Sequence, residues 1–173
     1  MRKLLLLLVL TCVAGFAGGA SKAHAGTPSC PVDEYGNCMP DYGSGGAPTV
    51  DSSSSSGWDF TCRGWQYYVV WKLHRGTWPY YQDLYLHTRW CGTGPGGVIT
   101  SHGSWVTTGS FLCSSHDPYT YAVSGGNGYT QVTKQGGAYF DCPTPYPWIT
   151  YHFHRWMQIR YYPGGGSTPI AWG

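Results

Sequence analysis

The sequence predicts an all-β protein, built as an antiparallel two-layer β-sandwich or, alternatively, as a partly closed β-barrel. Two observations support this fold class. Aromatic residues make up 17% of the chain and charged residues only 10%, a composition that favours strands over disorder. Short runs also alternate apolar and polar side chains with a period of two, and turns rich in Gly, Pro and Asn separate them. The sequence shows neither an amphipathic helix nor an internal repeat.

The longest alternating run lies between Trp148 and Tyr162. Alternate residues of a strand point to opposite sides, so this run has two unlike sides. We predict that one side faces the core and is interrupted only by Arg155. Its apolar members are Ile149, Tyr151, Phe153, Met157, Ile159 and Tyr161. The members of the other, polar and aromatic side are Thr150, His152, His154, Trp156, Gln158, Arg160 and Tyr162.

Six earlier runs are also predicted to be strands, with neighbours in the sequence pairing as hairpins. Asn127-Gly128 is a strong hairpin signal, and a Gly pair at 136–137 separates the last two runs. After Tyr162 the tail is expected to be irregular. The six predicted strands are Gln66–His74, Tyr81–Cys91, Val98–Thr108, Tyr119–Val123, Tyr129–Lys134 and Ala138–Cys142.

Composition divides the chain into three segments. A basic start, an apolar run and Ala23-His24-Ala25 identify residues 1–25 as a secretory signal peptide, which predicts an extracellular protein with no membrane anchor after cleavage. Residues 26–57 are rich in Pro, Gly and Ser and are predicted to form a flexible leader. Residues 58–173 are predicted to form the single β-sandwich domain.

The charge balance changes when the signal peptide is removed. Arg2, Lys3 and Lys22 leave with it, so seven Lys and Arg remain against eight Asp and Glu. A nearly neutral mature chain gives no electrostatic reason to expect binding to nucleic acid or to an anionic membrane.

The mature chain keeps an even number of cysteines, which in an exported protein predicts three disulfide bonds. Fifteen pairings are possible, and the sequence does not choose among them. We expect a local Cys30–Cys38 loop in the leader and two bonds inside the domain, for example Cys62–Cys91 with Cys113–Cys142. The six cysteines are Cys30, Cys38, Cys62, Cys91, Cys113 and Cys142.

The segment from Arg89 to Thr100 reads RWCGTGPGGVIT. Its order of strand, Trp-Cys, Gly-rich turn and Ile-Thr resembles small uncharacterised exported β-proteins of actinobacteria. The resemblance covers about a dozen residues and implies an exported β fold without implying a function.

One polar and aromatic surface is the main candidate site. If the last strand and the Tyr81–Cys91 strand share a face, flat rings would meet the C–H faces of sugars while polar groups bind hydroxyls. This combination predicts a non-catalytic module for extracellular or cell-wall glycans. The predicted ligand-binding residues are Trp156, Tyr81, Tyr85, Asp83, Gln158, Arg160 and His87. A structural alternative assigns the same rings to cross-strand pairing alone.

A metal site is a weaker hypothesis for the same surface. His152 and His154 lie two residues apart on one side of a strand, and His87 or Asp83 would supply a third ligand for zinc or copper. Two such histidines do not make a site, and no C-x-x-C motif occurs. We therefore predict no bound metal and no cofactor.

Enzymatic activity has little support in the sequence. Glycosidases usually need two carboxyl groups across the bond that is cleaved, and the domain contains four Asp and no Glu. Asp83 and Asp117 are a possible pair, and Ser114-Ser-His116-Asp117 has triad residue types without triad geometry. The alternative to a binding module is therefore a structural or assembly protein of the cell envelope, with an oligomeric state that the sequence does not define.

Overall fold

The computed structural model describes residue 43 and residues 45–144, 146 and 148–173. The predicted signal peptide, most of the predicted leader and the expected Cys30–Cys38 bond lie outside these residues. In the part of the chain that is described, no helix is long and apolar enough to cross a membrane. The eight strands are β1 Thr49–Asp59, β2 Gly64–Arg75, β3 Gln82–Gly92, β4 Ile99–Ser110, β5 Ser114–Gly125, β6 Val132–Pro143, β7 Thr150–Tyr161 and β8 Ser167–Trp172.

The strands form two antiparallel sheets of four, ordered β1-β2-β3-β4 and β5-β6-β7-β8. Each sheet is a meander in which every strand pairs with the next strand in the sequence. At one side of the molecule β4 contacts β5 through hydrogen bonds of 2.8 Å between Ser104 and Thr120 and 2.6 Å between Thr108 and Ser115. The sheets do not close into a barrel, so the predicted β-sandwich is confirmed and the barrel alternative is wrong.

The hydrophobic core fills the space between the two sheets. The rings of Trp90 on β3 and Tyr161 on β7 meet with centroids 4.9 Å apart, and Thr88 donates a 2.9 Å hydrogen bond to the Tyr161 hydroxyl. These contacts fix which side of each sheet points inward. The core residues from both sheets include Leu73, Leu84, Leu86, Trp90, Ile99, Val132, Ala138, Phe140, Met157, Ile159 and Tyr161.

The predicted orientation of the last long strand is confirmed along β7, where Tyr151 and Phe153 are partly buried against the core. Met157, Ile159 and Tyr161 are fully buried in the core. Arg155 also points inward, where its Nε donates a 2.7 Å hydrogen bond to Gln82 Oε1. Ile149 lies before the strand and is 41% exposed, so it does not extend the core as predicted.

The Gly pair at 136–137 lies inside β6 and does not separate two strands as predicted. A Cβ at Gly136 would lie 2.8 Å from side-chain atoms of both Leu86 and Val106 on the facing sheet. A Cβ at Gly137 would lie 2.5 Å from the hydroxyl of Tyr119. These glycines therefore allow close packing on both sides of a continuous strand.

Two strands were absent from the prediction. β1 occupies the end of the segment predicted as a leader, so the sheets begin at Thr49 and not at Trp58. Its Ser-rich residues are exposed and bury almost no apolar surface, so hydrophobic periodicity could not reveal a strand that is held by backbone pairing with β2. β8 lies in the tail predicted to be irregular, and its Pro169 is tolerated because β8 is an edge strand.

Both expected disulfide bonds of the domain are present. Cys62–Cys91 links the β1–β2 connection to the end of β3, and Cys113–Cys142 links the start of β5 to the end of β6. Each bond spans 29 residues. Disulfide bonds of this kind are typical of exported proteins.

Candidate functional site

Each sheet has an outer side that points away from the core. We call the outer side of β1–β4 the first face and the outer side of β5–β8 the second face. Because side chains alternate along a strand, the outward residues of β3 are the neighbours of core residues Leu84 and Leu86. The two faces lie on opposite sides of the sandwich, whose sheets pack about 10 Å apart.

Two rings stack on Trp105 at the centre of the first face. Trp105 on β4 pairs across the strands with His87 on β3, and their rings stack at 4.9 Å with an angle of 7°. The Tyr68 ring of β2 stacks on both, at 5.9 Å from Trp105 and 6.4 Å from His87. Trp105 still exposes 43% of its surface. The plane of an accessible indole is therefore fixed by its neighbours.

Both ring nitrogens of His87 are occupied. Nδ1 lies 2.8 Å from the Tyr68 hydroxyl, and Nε2 lies 2.7 Å from Thr107 Oγ1. Burial lowers the pKa of His87 below its ordinary value. The imidazole is consequently neutral at pH 7, when one ring nitrogen donates a hydrogen bond and the other accepts one.

A charged network continues the first face toward the β2–β3 turn. Asp83 is buried, and its carboxylate lies 3.0 Å from Lys72 Nζ and 2.5 Å from His74 Nδ1. The Tyr85 hydroxyl donates a 3.3 Å hydrogen bond to the same carboxylate, and Lys72 lies over the Tyr85 ring. Tyr81 stacks on His74 at 6.1 Å, at the end of the network. These polar groups are held in fixed positions beside the rings.

The second face carries a longer row of rings that runs across β5, β6 and β7. His116, Tyr139, His154 and Tyr119 stack in sequence, with centroid distances of 5.7, 4.6 and 5.8 Å. Tyr121 adds a further ring beside Tyr119 at 5.9 Å. Rings in such a row cover one another's faces and present hydroxyl groups and ring nitrogens as well as apolar surface.

Tyr119 is the best-fixed ring of the second face. Its ring lies over Gly137, and its hydroxyl lies 2.8 Å from His154 Nε2 and accepts a 3.1 Å hydrogen bond from Gln135 Nε2. Gln158 in turn donates a 2.7 Å hydrogen bond to Gln135. Amide, phenol and imidazole groups from three strands thus form one connected network.

An exposed acid and histidine cluster ends the second face. Asp141 Oδ1 lies 2.7 Å from His152 Nδ1 and 3.4 Å from His116 Nε2, while His116 Nδ1 lies 2.9 Å from Asp117. The hydrogen bond with Asp117 raises the pKa of His116, and the one with His152 lowers the pKa of Asp141. The cluster therefore favours the charged forms of His116 and Asp141.

The structure divides the predicted ligand-binding residues between the two faces. Asp83, Tyr85 and His87 point outward from β3 on the first face, and Tyr81 lies at its end. The other members lie on β7 and the second face: Trp156, Gln158 and Arg160. The single surface on which β3 and β7 side chains lie together is therefore not formed, since these strands belong to different sheets.

The residues of the predicted metal site and of the possible carboxylate pair are also divided between the two faces. His152 and His154 emerge on the second face, but they hydrogen-bond to different partners, and His87 lies on the first face. Among the described residues, no group of three His, Cys, Asp or Glu side chains is arranged to hold a metal ion. Asp83 and Asp117 lie on different sheets as well, so they do not form a carboxylate pair.

Two central rings were not among the predicted site residues. Trp105 lies in a Ser- and Thr-rich run with little apolar alternation, and Tyr119 follows a backbone irregularity between His116 and Tyr119. A single exposed Trp between small polar residues was the available signal for Trp105.

Comparison with protein-family models, with curated proteins and with solved structures finds no match to the chain.

Proposed function

We propose that this protein is a secreted, non-catalytic binding module for extracellular or cell-wall glycans, and that the first face holds the ligand. The observation that carries the proposal is the exposed Trp105 ring, whose orientation is fixed by His87 and Tyr68 before any ligand binds. An aromatic ring gives a large contact area and has few rotatable bonds to order on binding.

The surroundings of Trp105 suit a flat, hydroxyl-rich ligand. Gly103, two residues away on the same strand, has open space where a side chain would be. Thr107, two residues in the other direction, places a hydroxyl beside His87 Nε2. A sugar ring that stacks on the indole would therefore find free surface on one side and polar groups on the other.

The polar network extends the site along the strands. Asp83 and Tyr85 precede His87 on the same side of β3 at intervals of two residues, which is about 7 Å per step. Lys72 and His74 supply donors to the same region from β2. A site of this length favours an oligosaccharide or polymer over a single sugar.

Affinity electrophoresis tests the proposal. The protein is run in native gels that contain hydroxyethyl cellulose, xylan or glycol chitin. We expect at least one polymer to retard the wild type and Trp105→Ala to weaken that retention by about half or more, because a central aromatic contact is lost.

Trp58→Ala is the matched control, because Trp58 has the same exposed fraction, 43%, and lies outside the first face against Trp65. Retention should survive this substitution. If no polymer retards the wild type, or if both variants behave alike, the proposal is wrong.

A second candidate function is assembly in the cell envelope without a small ligand. β1 is an 11-residue edge strand that is exposed along almost its whole length and pairs, among the described residues, only with β2. Exposed strand edges can pair with another chain. Sedimentation velocity tests this candidate: concentration-dependent association that Ser53→Lys abolishes would support it, whereas a monomer at every concentration would exclude it.

A further inference from the structure

We infer that the second face is a second site for the same class of glycan, so that one protein molecule cross-links two polysaccharide chains. The inference rests on the function proposed above and extends it to the opposite side of the sandwich. It depends on a structural repeat, on the hydrogen-bonded Tyr119 ring that pairs across the strands with the row of Trp156, and on the positions of the two faces.

The fold contains a repeated unit of three strands that the sequence does not reveal. β2–β4 and β5–β7 are each preceded by a cysteine that bonds to a cysteine at the end of the unit's middle strand, 29 residues later. The units share few side chains, which hides the repeat in the sequence. The shared positions, each separated by 51 residues, are Cys62 and Cys113, Tyr68 and Tyr119, Cys91 and Cys142, Thr93 and Thr144, and Trp105 and Trp156.

Trp156 is therefore the counterpart of Trp105 on the third strand of the second unit. Trp105 pairs with His87 on the middle strand, whereas Trp156 pairs with Gly137. Tyr119 on β5 pairs with Gly137 from the other side, so Tyr119, Gly137 and Trp156 form one row across the three strands. The ring of Tyr119 fills the space above Gly137. Each Trp thus shares its row with a polar ring.

The two polar rings are fixed in the same manner. His87 has hydrogen-bond partners on β2 and β4, at Tyr68 and Thr107. Tyr119 has partners on β6 and β7, at Gln135 and His154. In both units a polar ring is held by two hydrogen bonds to other strands of its sheet, which orders the surface before a ligand arrives.

The chemistry of the second face matches a neutral, hydroxyl-rich polymer. Gln135 and Gln158 form an amide pair in the row next to Trp156, and Tyr139 and His154 stack in the row on its other side. Tyr139 also exposes 42% of its surface. Amides and phenols donate and accept hydrogen bonds without net charge.

Because the two faces lie on opposite sides of the sandwich, two binding sites would cross-link two polymer chains. They point away from each other across two packed sheets, so an extended polysaccharide on one face does not reach the other. Simultaneous binding therefore joins two chains, and it does not increase the affinity for one chain.

The test combines retention with cross-linking, using hydroxyethyl cellulose, xylan and glycol chitin as the soluble probes. Light scattering reports polymer cross-linking by the wild type, by Trp105→Ala, by Trp156→Ala and by the double variant. We expect each single variant to keep about half of the retention and to lose cross-linking, and the double variant to lose both.

Two further variants keep the result interpretable. Tyr119→Ala removes the ring beside Gly137 without changing Trp156, and it should also abolish cross-linking. Trp58→Ala should leave both signals unchanged. If Trp105→Ala removes all retention while Trp156→Ala and Tyr119→Ala change nothing, the second site does not exist although the proposed function stands. If the wild type is not retained at all, the proposed function and this inference both fail.

Discussion

The two outer faces carry similar residue types on two copies of a three-strand unit, but the residues are arranged differently. On the first face the rings cluster around one exposed indole, and the charged groups form a network around the buried carboxylate of Asp83. On the second face the rings form a row across the strands, and the charged groups around Asp141 are exposed at its end. In both sheets the alternation of side chains along the strands determines on which side the rings lie. Burial differs between the two faces, since the carboxylate of Asp83 is buried and the charged groups around Asp141 are exposed.

The largest expected effects on stability concern the disulfide bonds of the two sheets. Both bonds close loops of equal length, so loss of either should cost a similar entropic contribution of about 3.5 kcal/mol. Cys142 is fully buried, and its sulfur lies 3.2 Å from the buried amide of Gln82. Removing Cys113–Cys142 should therefore cost about 1 kcal/mol more than removing Cys62–Cys91. Urea unfolding of the two double Ala variants measures this, and equal losses would contradict the packing argument.

Two buried charges should respond to substitution with opposite signs. Asp83 has ionic partners in Lys72 and His74, so Asp83→Asn should destabilise the protein by about 1 to 3 kcal/mol. Lys134 faces the core of the second sheet with no ion-pair partner among the described residues, and burial lowers its pKa. Lys134→Met should stabilise the protein by about 1 to 3 kcal/mol.

Thermal unfolding of both variants at neutral pH checks this pair of predictions. A loss of stability in Lys134→Met would mean that the amine has a favourable interaction inside the sandwich. A neutral effect of Asp83→Asn would show that the network on the first face does not contribute to stability.

A glycine on each face offers a smaller and more local comparison. A Cβ at Gly137 would displace the Tyr119 ring and break its hydrogen bonds with His154 and Gln135, which should cost about 1 to 2 kcal/mol. Gly103 on the first face has nothing within 4 Å of the same position. Gly103→Ala should accordingly have almost no effect. Equal unfolding midpoints for the two Ala variants would show that the Tyr119 network is not needed for stability.

The smallest expected effects are shifts in the pH dependence of stability. Burial lowers the pKa of His87, so its contribution is present above pH 6.5 and is lost as the pH falls below that value, where the unfolded chain binds the proton first. The hydrogen bond with Asp117 raises the pKa of His116, so its contribution is present below pH 6.5 and is lost as the pH rises through the raised pKa.

Thermal scans of His87→Gln and His116→Gln between about pH 5 and pH 8 separate the two contributions. Compared with the wild type, His87→Gln should lose less stability on acidification, and His116→Gln should lose less as the pH rises. Parallel curves for all three proteins would show that neither histidine links folding to protonation.

Local periodicity was sufficient to predict the sandwich and the orientation of β7, whereas the two disulfides of the domain were one expectation among the possible pairings of the cysteines. It was not sufficient where backbone pairing or close packing replaces an apolar pattern, as in the Ser-rich β1 and at Gly136 within β6. The predicted site combined residues of two faces, and one of these residues, Asp83, is buried. Alternation shows that Asp83 and Trp156 point outward, whereas the sheet to which each strand belongs depends on long-range pairing that a local pattern does not contain.

The indole N–H signals of the nine Trp residues provide the most direct test of the central claim. A ¹H–¹⁵N spectrum is recorded during titration with cellohexaose, xylohexaose and chitohexaose, and Trp variants assign the signals. We expect one of these sugars to shift the Trp105 and Trp156 signals and to leave the Trp58 and Trp148 signals unchanged. Shifts confined to Trp58 or Trp148, or no shift with any of the three sugars, would contradict the claim.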